Sequence, residues 1–139
     1  MEKVSRFLLI DDDPILAMTT RWTLEAIGIN EIVEVRNGQL ALDWLNQQFQ
    51  PLDLVLLDLQ MPVMDGIEFL EALSQLDHIA GLIDRIVVLT SMQHPGIRKQ
   101  VEALGVKWYV TRPLTTDAIL AILTDLASGT KGQETGMSR

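Results

Sequence analysis

LVLLDLQMPVMDGIEFL, residues 54–70, decides how this chain is read. A run of apolar residues ends in one carboxylate, Asp58. A methionine-proline turn follows, then Asp65-Gly66, then an amphipathic helical pattern with Ile67, Leu70 and Leu73 on one face. An acid carried to the end of a buried strand is costly to desolvate, so it usually has a task. The same arrangement occurs earlier, where Phe7-Leu8-Leu9-Ile10 runs into Asp11-Asp12-Asp13. Two such strand ends lying together make a pocket of carboxylates suited to a hard cation.

Working outward, strand-like and helix-like segments alternate along the chain. Residues 6–10 (RFLLI) predict a buried strand. Pro14 opens the first helix with Asp13 as its N-cap, and Ile15, Met18, Trp22, Leu24 and Ile27 recur at roughly helical spacing. Gly28 suits the helix C-terminus. Residues 31–35 (EIVEV) predict a second strand, and Asn37-Gly38 a turn. Leu40, Ala41, Trp44 and Leu45 mark the second helix. The third strand is expected at 53–57 and the third helix at 66–76, followed by an irregular loop at 77–84. A fourth strand (85–90), a short helix (95–104) and a fifth strand (107–111) come next. Thr115 or Thr116 caps a last helix carrying Ile119, Leu120, Ile122, Leu123 and Leu126. Trp22 and Trp44 are expected in the core.

This pattern is (βα)5. Strands alternating with helices imply a parallel sheet covered on both faces, and right-handed crossovers leave few topologies. Acidic ends on strands one and three fit the doubly wound, flavodoxin-like order 2-1-3-4-5, in which those strands are neighbours beside the switch point. One domain is expected over residues 1–127, with a disordered polar tail at 128–139 (SGTKGQETGMSR).

Composition narrows the function. The chain has 139 residues, 47% of them hydrophobic and 22% charged, which suits one globular core. A net charge of −8 argues against nucleic-acid binding through a basic face. There is no cysteine, hence no disulfide, thiol chemistry or cysteine-based zinc site. Nothing at the N-terminus has the pattern of a signal peptide, and the apolar runs are far too short to span a bilayer. A soluble cytoplasmic protein without membrane insertion is the expectation.

LLIDDDP (8–14), LVLLDLQMPVMDG (54–66), VVLTS (87–91) and YVTRPL (109–114), in this order and at these spacings, resemble a response-regulator receiver domain of two-component signalling. The resemblance runs from residue 6 to about 127 and is nearest to the stand-alone, chemotaxis-regulator-like type. It implies that Asp58 is the phosphoacceptor. Asp11, Asp12, Asp58 and the backbone carbonyl of Gln60 would hold Mg2+ or Mn2+. Thr90, with the small Ser91 beside it, would meet the phosphoryl group, and Tyr109 would be the aromatic that follows the switch. Arg112 stands where the family has a near-universal lysine, and Pro113 matches a proline that follows a cis peptide bond. A sensor histidine kinase or phosphotransfer protein would donate the phosphoryl group. Output would pass to a downstream protein target from a monomer or weak homodimer, with no direct nucleic-acid contact. Such a domain is not a conventional enzyme; at most it catalyses its own slow phosphorylation and dephosphorylation.

Each residue also has a plainer reading. Asp13 reads best as a helix cap. Thr90 fits a strand end by propensity alone, and Tyr109 fits strand packing as well as a switch. Alternation sends Trp108 and Tyr109 to opposite sides, with one expected at the surface of helix four, strand five and helix five, where it would suit a partner. Met61 and Met64 read as packing, and His78 and His94 as isolated loop residues. Arginine and lysine are not interchangeable, so Arg112 either clamps phosphate with altered geometry, points outward, or marks a degenerate receiver that docks partners without phosphorylation. A Mg2+-dependent aspartate-nucleophile phosphatase also uses a D-x-D after strand one, but Pro14-Ile15 departs from that pattern. A flavin carrier would need a hydroxyl- and glycine-rich loop where this chain has DDDPIL.

Overall fold

The computed structural model describes residues 6–47, 52–59, 61, 65–76, 80–91 and 95–128. Its elements alternate: β1 (Arg6–Ile10), α1 (Pro14–Ala26), β2 (Glu31–Val35), α2 (Gly38–Gln47), β3 (Leu54–Asp58) and α3 (Gly66–Ser74). A 3-10 helix (Ala80–Arg85) leads into β4 (Ile86–Thr90), α4 (Pro95–Ala103), β5 (Trp108–Thr111) and α5 (Thr116–Ser128). The five strands pair in parallel in the order β2-β1-β3-β4-β5. Strand and helix ends differ from the expected bounds by one or two residues. The larger differences are the 3-10 helix, placed where a loop was expected, and Ser128, which ends α5 rather than opening a tail.

The alternating strand pattern sorts side chains to two faces. Leu8, Ile10, Val55, Leu57, Val88 and Tyr109 face one buried layer with Phe69, Leu70 and Val101 of α3 and α4. Phe7, Leu9, Leu54, Leu56, Val87 and Trp108 face the other, with Leu24, Ile119 and Ile122 of α1 and α5. The three inner strands are apolar on both sides because helices cover both.

Two apolar assignments are corrected. On α1 the buried residues are Ala17, Thr20 and Leu24, whereas Ile15 and Trp22 are 62% and 58% exposed and Met18 is also exposed. Ala17-Thr20-Leu24 has the same helical spacing as Ile15-Met18-Trp22, so periodicity alone does not choose between the two faces. Trp108 and Tyr109 do face opposite sides, yet both are buried, so neither is a surface aromatic. Leu40 and Leu120 also turn outward from their helices. Trp44 is half-buried against the α2–α3 layer, with the Arg6 guanidinium 5.4 Å from its ring centre.

Helix ends are fixed by the residues the sequence supplies. The Asp13 carboxylate accepts the N–H groups of Ile15 (2.9 Å) and Leu16 (3.3 Å), with Pro14 in the first turn. Thr115 Oγ1 accepts the Ala118 N–H at 3.1 Å and so caps α5. Gly28 has φ +94°, a left-handed conformation that glycine takes without strain, and its N–H closes the end of α1 on the Glu25 carbonyl.

Candidate acidic site at the carboxyl end of the sheet

Register places the acids. Ile10 pairs with Leu57 across β1 and β3, so the next residues, Asp11 and Asp58, come out side by side. Asp58 pairs with Leu89, which puts Thr90 one step beyond it on β4. Thr90 in turn pairs with Thr111, so the β5–α5 connection starts at the same edge. Oxygens of Asp11, Asp12 and Asp58 lie within 4.8 Å of one another. Asp11 is wholly buried and Asp58 is 6% exposed; Asp12 is half-buried. Three oxygen ligands this close, with no sulfur or imidazole among them, form a donor set that fits a hard divalent cation.

Asp11 is held by both its backbone and its carboxylate. Its backbone N–H donates to the Val35 carbonyl at 3.1 Å, extending the β1–β2 ladder by one residue. Its carboxylate accepts the Asp13 N–H on Oδ1 (2.9 Å) and Arg112 Nη2 on Oδ2 (2.7 Å). Arg36 Nη1 donates to its carbonyl at 3.3 Å while Arg36 Nη2 bonds Glu34 (3.1 Å).

Arg112 turns inward. Its side chain is 9% exposed, and Nη2 lies 3.9 Å from Asp58 Oδ1 as well as 2.7 Å from Asp11. The outward-pointing arginine is therefore not what the fold holds. Its backbone N–H donates to the Thr90 carbonyl at 3.0 Å, and the Arg112–Pro113 peptide bond is cis. Thr90 is buried at the end of β4, and Ser91 is exposed beside it. Arg112, Pro113 and Ser91 also border a cleft of about 280 Å³ against α1, closed on its far wall by Leu16, Thr19 and Thr23. Thr23 Oγ1 reaches the Leu114 carbonyl across it at 3.4 Å.

Tyr109 is buried on the α4 side, with the Arg98 guanidinium 5.1 Å from its ring centre. Burial pushes the phenol above its ordinary value of 10.0, and the Arg98 charge partly offsets this. Gln60, Met64, His78 and His94 fall outside the described residues.

Sequence reasoning missed what Asp65-Gly66 does. Asp65 caps α3, its carboxylate accepting the Glu68 N–H (2.9 Å) while Glu68 accepts the Asp65 N–H (3.0 Å). Gly66 lies so close to β3 that an added Cβ would sit 2.7 Å from Leu59 Cα and 2.9 Å from the Asp58 carbonyl oxygen. An Asp-Gly pair at a helix start, seven residues beyond a strand-end acid, was the available signal. Arg36 had no such signal, because its contact with Asp11 is tertiary.

The sheet order and the acidic trio at its switch point define a doubly wound α/β domain with an acidic pocket at the strand ends. The chain belongs to the response regulator receiver domain family, whose model matches residues 7–124, and so to two-component signalling. It is 33% identical over 125 residues to the two-component response regulator ORR41 of Oryza sativa subsp. japonica, covering 87% of this chain and 93% of that one. It is 29% identical to the chemotaxis protein CheY of Bacillus subtilis, covering 83% and 91%. Among solved structures, that of the bacteriophytochrome response regulator AtBRR superposes with a TM-score of 0.77 at 30% identity, covering 91% of this chain and 94% of that one. Other relatives are longer: the chain spans 15% of the sensor histidine kinase GacS of Pseudomonas protegens. Among the described residues no helix is long and apolar enough to cross a membrane.

Proposed function

We propose that the chain is a phosphorylation switch in which Asp58 accepts a phosphoryl group from a sensor histidine kinase or phosphotransfer protein. The observation that carries this is the trio Asp11, Asp12 and Asp58, within 4.8 Å of one another, with the Arg112 cation beside it. A carboxylate oxygen of Asp58 forms the new P–O bond, the donor's P–N bond breaks, and the leaving imidazole takes up a proton. Asp11, Asp12 and Asp58 would hold Mg2+ or Mn2+, with the Gln60 carbonyl as a further ligand. The ion offsets the repulsion between an anionic nucleophile and an anionic donor. Arg112 supplies a second positive charge, and its planar fork matches phosphate oxygens. The Thr90 hydroxyl, with Ser91 leaving room beside it, would donate to the arriving phosphoryl oxygens. Tyr109 follows that movement, and a changed surface reaches a protein target. Turnover is limited to slow self-catalysed gain and loss of phosphate.

A phosphorylation-independent docking module drew its support from Arg112 alone. Arg112 still stands where the family has lysine, so the mass measurement below separates that reading from the phosphoacceptor.

The test is to incubate the chain with Mg2+ and acetyl phosphate and measure the intact mass. Gain of one phosphoryl group, lost in Asp58→Asn, is expected. No adduct refutes the acceptor reading, and phosphate-ester turnover that depends on Asp11 favours the phosphatase.

A further inference from the structure

Three threonines of α1 line the cleft that Arg112 and Pro113 border, and their hydroxyls are not alike. Thr19 Oγ1 donates to the Leu16 carbonyl at 2.8 Å and Thr23 Oγ1 to the Thr19 carbonyl at 3.2 Å, the usual use of a threonine hydroxyl inside a helix. Thr20 is 3% exposed and is the one polar member of the buried stripe Ala17-Thr20-Leu24. Among the described residues its hydroxyl has no hydrogen-bond partner. A buried hydroxyl left so is costly, and valine would fill the same place without that cost. Packing on the sheet therefore does not call for the hydroxyl, whereas an acceptor seated in the cleft would use it.

Size and charge limit what fits. The cleft holds about 280 Å³, near the lower end of ligand sites at about 300 Å³. Leu16, Pro113 and Leu114 supply apolar wall. Arg112 on the border disfavours a cation. Its charge is already neutralised by Asp11 at 2.7 Å, with Asp58 at 3.9 Å, so the acids behind it disfavour an anion. Of its side-chain nitrogens only Nη2 is engaged; among the described residues Nε and Nη1 make no hydrogen bond. Donors are thus in surplus beside apolar wall.

We propose that the cleft between α1 and the β5–α5 connection binds a small uncharged molecule, which offers an acceptor oxygen to Thr20 and Arg112 and an apolar body to Leu16, Pro113 and Leu114. The site is distinct from the acidic trio and touches it through Arg112. It does not rest on the acceptor reading of Asp58.

Three single-ring probes of one shape and different charge test the proposal: benzamide, benzoate and benzamidine, titrated at neutral pH into the isotope-labelled chain and followed by two-dimensional NMR. Benzamide is expected to shift the signals of Leu16, Thr20 and Leu114 with a Kd of about 1–10 mM. Benzoate and benzamidine, carrying opposite charges, should each bind at least about fivefold more weakly. This series uses the unaltered chain and does not depend on a variant folding. Benzamide shifts that miss these three residues, or charged probes that bind as tightly, overturn the proposal.

Two variants then isolate the hydroxyl. Thr20→Val keeps the shape of the side chain and should weaken benzamide at least about fivefold. Thr20→Ser keeps the hydroxyl and should stay within about threefold of the unaltered chain. Equal affinity in Thr20→Val and the unaltered chain overturns the role of Thr20. Shifts of the same signals that follow protein concentration with no probe added would give the cleft to a second copy of the chain, and would overturn the proposal as well.

Discussion

Gly66→Ala tests whether the Asp-Gly pair is a structural wedge under the phosphoacceptor. The added methyl group would meet Leu59 Cα at 2.7 Å and the Asp58 carbonyl oxygen at 2.9 Å, both backbone atoms. The Leu59 side chain, also at 2.7 Å, can rotate away, but β3 and α3 cannot part without disturbing the Gly66 N–H bond to the Leu59 carbonyl at 3.0 Å. Overpacking of this kind costs about 1–3 kcal/mol. Alanine in place of glycine in a helix returns roughly 0.5–1 kcal/mol. The net loss is about 0.5–2 kcal/mol, or a fall of roughly 0.3–1 M in the urea midpoint at a slope of about 2 kcal/mol/M. Because one obstructed atom belongs to Asp58, Mg2+ affinity should fall in the same variant. Gly81→Ala is the control, since an added Cβ there meets nothing within 4 Å. Equilibrium urea unfolding followed by tryptophan fluorescence measures both variants. If Gly66→Ala and Gly81→Ala unfold together with the unaltered chain, close approach at Gly66 is not what the site requires.

Three other outcomes follow from the packing. Trp22 is more than half exposed, so Trp22→Ala should shift the unfolding free energy by less than about 0.5 kcal/mol. Leu24→Ala, two residues on and wholly buried, should cost about 2–5 kcal/mol in the same urea series; the reverse ranking would place the wrong face of α1 on the sheet. Tyr109 is the single tyrosine, so ultraviolet titration of phenolate reads it alone, and its midpoint should lie above 10.0 and rise further in Arg98→Gln. Since the folded-state pKa is raised, the neutral phenol favours the folded chain. That contribution is complete below pH 10.0 and is lost as pH rises through the folded-state value, a loss that Tyr109→Phe should remove from the stability profile.

Sheet order and site were legible because both follow from local pattern. Apolar runs ending in acids gave the strands, their carboxyl ends and the convergence of Asp11, Asp12 and Asp58. What periodicity could not choose was the face of α1. Ile15-Met18-Trp22 and Ala17-Thr20-Leu24 share one spacing, and the larger, more apolar set is the exposed one. Packing against the sheet and α5 settles that, and it is not local. Arg112 was legible as a departure but not as a contact, because its reach to Asp11 joins residues 101 apart in the chain. Trp108 and Tyr109 showed their alternation in sequence; that helices bury both sides of β5 became visible only once α4 and α5 were packed.

The central claim is that the acid at the end of β3 carries the phosphoryl group. An acyl phosphate is a mixed anhydride that borohydride reduces to an alcohol, so reductive trapping after treatment with Mg2+ and acetyl phosphate, followed by peptide mapping, marks the acceptor. Homoserine is expected in place of aspartate at position 58 and at no other acid. Reduction at Asp11 or Asp12, or phosphoryl groups retained on histidine with Asp58 intact, would contradict it.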